Sequence, residues 1–115
     1  MDDKEKRIKK EIKRLNKIFE EVPKNKKGAV ARLIDNAAFM SVTLEDLKDE
    51  INQNGVKELY LNGANQHGYK ETIEVKTYNA MIKNYVNAVK QLNVVLPADK
   101  KIDEADEFDK FCDKS

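Results

Sequence analysis

The feature that most constrains this chain is an apolar rhythm in its second half. Between Thr72 and Leu96, the residues Val75, Tyr78, Ile82, Tyr85, Val89, Leu92 and Leu96 recur three and four positions apart without a slip. On an α-helix that spacing draws one seam down one side, and such a seam needs a partner helix to cover it. The residues between, Lys76, Asn79, Lys83, Asn84, Asn87, Lys90 and Gln91, form a polar face with no ordered cluster of catalytic side chains. The seam is therefore read as a packing and oligomerisation surface. Assembly and binding, not catalysis, are the expected activity.

Two earlier stretches keep the same rhythm. From Lys26 to Asn54 the apolar positions are Val30, Leu33, Ala37, Met40, Leu44, Leu47 and Ile51, with no proline and, after Gly28, no glycine until Gly55. Asn25 is the expected N-cap, and Gly55 the left-handed C-cap. Thr43 with Asp46 has the spacing of a capping box that could split the stretch into two helices. The unbroken phase of the seam argues for one, of roughly 28 residues and about 42 Å, followed by a final helix of about 36 Å that Thr72 caps and Pro97 ends. At the N-terminus, Ile8, Ile12, Leu15, Phe19 and Val22 predict a helix from about Lys4 to Val22, stopped by Pro23 before a basic turn over residues 24–28.

Between the second and third helices the pattern changes. Val56, Leu59, Tyr60 and Leu61 read as a short strand, Asn62-Gly63 is a strong turn signal, and residues 67–71 can return as a second strand. Gly63 and Gly68 have the outer spacing of a phosphate-binding loop, but Tyr69-Lys70 follows where Lys and Ser/Thr are required, so that reading fails. His67 has no nucleophile or carboxylate at motif spacing and is read as a turn residue. With one histidine and one cysteine, Cys112, the chain offers neither an internal disulfide nor metal-ligand spacing. No catalytic residue, metal or cofactor is expected.

Charge separates the two ends. Residues 1–28 hold eleven Lys/Arg against six Asp/Glu, a net of +5, whereas residues 98–115 hold four against seven, a net of −3. The intervening residues 29–97 are close to neutral, at −1. Lys6, Arg7, Lys10, Lys13, Arg14 and Lys17 on the first helix, with Lys24, Lys26 and Lys27 in the turn, are the candidate DNA-binding residues, because an array of cations along a helix can follow phosphates. The competing readings are an ordinary solvated lysine face and a membrane-surface helix, the latter poorly served by an apolar face without aromatic bulk. In the acidic tail, Phe108 and Phe111 are candidate partner-binding residues. No apolar run is long enough to cross a membrane and no signal-peptide pattern opens the chain, so a soluble, cytosolic protein is expected.

These elements make up a mainly α fold: an elongated antiparallel helical bundle with coiled-coil-like seams and one short β-hairpin, expected to be oligomeric. Its parts are a basic amphipathic helix (1–25), an assembly domain of long helix, hairpin and final helix (26–97), and an acidic tail (98–115). Three seams are expected to meet in one bundle, leaving Phe39, Val86, Val94 and Val95 to be covered by other copies.

The run LIDNAAFMSVTLEDLKDEINQNG, then LNGANQHGYK, then TYNAMIKNYVNAVKQLNVVLP, resembles the small subunit of phage terminase over about residues 27–97. The order of long helix, Asn-Gly hairpin and a helix closing in Leu-Pro carries the likeness, with Tyr78-Asn79 and Lys83-Asn84-Tyr85. The resemblance implies a homo-oligomer, typically a ring, in a bacterial host's cytoplasm. It implies double-stranded viral DNA and the terminase large subunit, which holds the ATPase and nuclease, as partners. Many members place a helix-turn-helix ahead of the assembly domain. Here a single basic helix and turn stand in that place, which suits phosphate contact better than base readout. A non-enzymatic coiled-coil or structural module without DNA binding is the alternative.

Overall fold

The computed structural model describes residues 2–55, 57–61 and 67–96, with residues 57–61 and 67–70 described by their backbone alone. The chain is mainly helical: α1 (Asp3–Ile18), α2 (Lys24–Asn54) and α3 (Ile73–Val94), with strands β1 (Lys57–Leu61) and β2 (His67–Glu71) between the last two. The strands pair antiparallel, Lys57 opposite Glu71 and Leu61 opposite His67. Asn62-Gly63 and everything from Pro97 on, including Phe108 and Phe111, lie outside the described residues.

α2 is one unbroken helix of 31 residues, about 46 Å long at 1.5 Å per residue. The Thr43–Asp46 capping box does not form. Asp46 instead receives a hydrogen bond from Arg7, and the Thr43 hydroxyl is buried without a partner among the described residues. Nor does Asn25 cap the helix. Pro23 takes that position with φ −55° and ψ 145°, so Lys24, Asn25, Lys26, Lys27 and Gly28 belong to the helix and not to a turn. The physical reason is that the ring of proline excludes its predecessor from helical geometry while its own carbonyl is free to accept, here from the Lys26 N–H at 2.9 Å. Proline thus ends one helix and opens the next. At the far end Gly55 adopts φ 84° and ψ 175°, an extended positive-φ conformation rather than the left-handed helical one, and its N–H closes on the Ile51 carbonyl at 2.8 Å.

α1 is shorter than its apolar pattern. It ends at Ile18, and Phe19 and Val22 are buried from the turn that follows, at 3% and 6% exposure. Their side chains reach the core because Phe19 and Val22 donate to the Leu15 and Phe19 carbonyls, which folds the chain inward before the proline. Capping is local at both other starts. The Asp2 carboxylate accepts from the Glu5 N–H at 2.7 Å, and the buried Thr72 hydroxyl accepts from the Val75 N–H at 3.3 Å.

α2 lies in the middle, with α1 packed on one side and α3 on another. Its expected seam contributes Val30, Ala37 and Leu44 to the buried core, joined by Tyr85, Ala88, Val89, Leu92 and Leu96 of the final helix and its end. A second stripe, Ile34, Ala38, Ser41 and Val42, is equally buried. Arg7, Lys10, Glu11 and Arg14 face Ser41, Val42 and Glu45 across a groove, so this second stripe is what α1 covers. As expected, the three seams meet in one buried cluster, where Leu15, Phe19 and Val22 join Val30, Ile34 and Leu44 of α2 and Val89 and Leu92 of α3; Ala38, Ser41 and Val42 are further buried positions of α2 beside its seam.

The candidate nucleic-acid interface

α1 has one inner and one outer side. Leu15 is buried, Ile8 and Ile12 are half-buried, and Lys6, Lys10, Lys13 and Lys17 are exposed. Those four lysines are spaced four, three and four apart, so they form their own stripe opposite the apolar one, about 16 Å long. Lys9, exposed on the same outer side, extends it and was not among the sequence candidates. The signal that could have found it is only its position on the wheel.

The two arginines behave differently. Arg7 is half-buried on the flank facing α2, where its Nη1 donates to Asp46 Oδ1 at 2.7 Å and its Nη2 lies 3.6 Å from Glu45 Oε1. The hydrogen bond that Arg7 donates to Asp46, with the attraction of nearby carboxylates, raises the guanidinium pKa against the opposing cost of burial. Arg14 makes a two-pronged contact within its own helix, Nε to Glu11 Oε1 at 2.7 Å and Nη2 to Glu11 Oε2 at 2.9 Å. Both arginines hold carboxylates, so their charge is compensated. Only the partners of Arg7 were invisible to charge counting, because Glu45 and Asp46 come from 38 and 39 residues away and the turn decides whether they meet α1, whereas Glu11 stands three residues from Arg14 on the same helix.

The lysines carry no such partners. Among the described residues, Lys6, Lys10, Lys13 and Lys17 make no ion pair, and neither do the exposed Lys24, Lys26 and Lys27 in the first turn of α2. That first turn has no acidic residue and no side-chain cap. The positive end of the helix dipole therefore adds to three lysine charges instead of being offset, an arrangement that favours an anion nearby.

The seam of α3 divides into two halves. Tyr85, Val89, Leu92 and Leu96 are buried within the chain's own core, while Val75, Tyr78 and Ile82 are half-buried. Val75, Ile82 and Val86 fall on one flank of α3, and Ile82 and Val86 line an open groove with Lys83 and Asn87. Ile73 and Val94 are largely exposed, at 72% and 79%. Phe39 is half-exposed with the Lys4 ammonium 4.9 Å from its ring centre, and Val95, expected on the outer surface, is partly buried against the core.

Among the described residues no group of three His, Cys, Asp or Glu side chains could hold a metal ion, and no helix is long and apolar enough to cross a membrane. No family model, no curated protein and no solved structure matches the chain.

Proposed function

We propose that this chain is a DNA-packaging adaptor of the terminase small-subunit class: a homo-oligomer that holds duplex DNA by its phosphates and delivers it to a separate ATPase/nuclease subunit. The observation that carries the DNA half of this reading is the lysine stripe of α1, without ion pairs among the described residues and continued by Lys24, Lys26 and Lys27 at the start of α2. These side chains are exposed, so they can meet a polyanion without disturbing packing. Support for assembly comes from the half-covered flank of α3 at Val75, Ile82 and Val86 and from exposed Ile73 and Val94, apolar surface that a second copy would remove from water. The order of long helix, paired strands and final helix is the order on which the family resemblance rests.

One subunit with a handful of lysines binds weakly, whereas several subunits repeating the stripe gain orders of magnitude by avidity. Duplex binding is expected to show little sequence preference and to fall steeply between about 50 and 200 mM salt. Replacing Lys6, Lys10, Lys13 and Lys17 with Gln should remove most of that binding and reduce the salt slope by about 1 per lysine. Helicity and oligomer state should be unchanged, since all four are exposed. A four-fold variant that binds duplex as the parent does makes the stripe an ordinary solvated face, and the structural-module reading then takes over.

A further inference from the structure

Where the chain leaves the bundle bears on how the lysine surface is used. Because Lys57 pairs with Glu71, the end of α2 sits beside the start of α3, and α3 runs back along α2. Its 22 residues carry it back over most of the length of α2, and Leu96, just past its end, is buried in one cluster with Val30, Phe19 and Val22. The backbone therefore emerges at the end of the bundle that carries Lys24, Lys26 and Lys27, with Lys13 and Lys17 just across the α1–α2 turn. Residues 98–115 follow, and they are acidic, with Asp103, Glu104, Asp106, Glu107 and Asp109 placing five carboxylates within seven positions.

We infer that residues 98–115 dock on the lysine surface of their own chain and compete there with nucleic acid. Three features select this occupant. The charges are complementary, and the lysines lack carboxylate partners among the described residues while both α1 arginines have them. Reach is sufficient, since 18 residues at up to about 3.4 Å each can span well beyond a lysine stripe of about 16 Å. An open groove of about 300 Å³, with Lys27 and Glu20 on its rim beside Asn16 and with Phe19, Val30 and Ile34 among its lining, offers apolar contact for Phe108 or Phe111. A tether of this length gives an effective concentration of about 1 mM; with an intrinsic dissociation constant of about 0.1 mM the surface is mostly occupied and apparent DNA affinity falls about tenfold. The docking itself needs no DNA, whereas its regulatory consequence rests on the function proposed above.

Cys112, the single cysteine, allows the test on the full chain. With a nitroxide on Cys112, attenuation of amide resonances is expected over residues 6–17 and 24–27, relieved at about 0.5 M salt, where exposed charges are screened. Neutralising Asp103, Glu104, Asp106, Glu107 and Asp109 to Asn or Gln should abolish the attenuation and tighten binding to a random-sequence duplex about tenfold at low salt. Attenuation that is absent, evenly spread, centred on Ile82 and Val86, or seen only when labelled and unlabelled chains are mixed overturns the proposal. So does an unchanged affinity in the neutralised chain when both proteins bind duplex. If neither binds duplex, the DNA reading fails and the nitroxide result alone decides the docking.

Discussion

α1 and α3 flank the same helix and carry the same apolar rhythm, yet they are held by different forces. α3 buries Tyr85, Ala88, Val89 and Leu92 along its C-terminal half, with Leu92 fully enclosed. α1 buries a single residue within the helix, Leu15, and is fastened at its two ends: by Phe19 and Val22 in the turn and by Arg7 reaching Glu45 and Asp46. The difference teaches that spacing tells which side of a helix meets a partner, while the amount buried depends on the shape of the partner's face. α3 puts four apolar side chains of its C-terminal half into the core, whereas α1 puts in one from within the helix. A helix held at its ends and presenting lysines outward is suited to surface binding, and the better-packed one to being the scaffold.

The comparison breaks most visibly at Leu92. Leu92→Asp leaves a carboxylate without a partner at a fully buried core position and should cost on the order of 5 kcal/mol or more, which for a domain this size means loss of the fold by circular dichroism. The same change at Ile82, read from sequence as equally central, should be much milder because that side chain is only half-buried. Retention of a cooperative melt by Leu92→Asp would show that α3 is not the scaffold.

Leu15→Ala should cost about 2–4 kcal/mol, and the loss should be local. Hydrogen exchange is expected to show α1 amides losing protection while α2 and α3 keep theirs. Uniform loss across all three helices would mean that α1 is as integral as α3.

The caps give a finer version of the contrast. Thr72 is buried and Asp2 exposed, so Thr72→Ala should lower stability by about 1–2 kcal/mol and Asp2→Ala by about 0.5 kcal/mol in denaturant titrations. Equal effects would remove the distinction between the two helix starts.

Arg7→Ala should have the smallest effect, about 0.5 kcal/mol, because solvent screens a pair whose partners are a third or more exposed. Its pH dependence follows from the direction of the shift. A guanidinium pKa raised on folding contributes stability that is fully present below the group's ordinary range and lost only as pH rises through it. Parent and Arg7→Ala should therefore differ by a constant amount across neutral pH as far as this group is concerned. A difference that widens through the neutral range would point to another titrating partner.

The chain's own pattern determined its helices, because a helix is a local object: apolar spacing, Pro23, Gly55 and Thr72 are read within a few residues of where they act. It also determined that lysines dominate the outer side of α1, since that follows from the helical repeat alone. Boundaries were less legible. Val22 continues the apolar rhythm after the helix has ended, because a buried turn can satisfy the same pattern as a buried helical face. Only the tertiary structure decided that α2 has two buried faces, because Ala38 and Ser41 are too small and too polar to stand out until another helix covers them. It alone decided that Arg7 belongs to an ion pair and Lys10 to the surface, since Glu45 and Asp46 are distant in sequence and meet α1 only through the packing that the Pro23 turn imposes. It alone decided that the α3 seam closes at Leu92 and stays half-open at Ile82, since what a stripe buries is set by what packs against it.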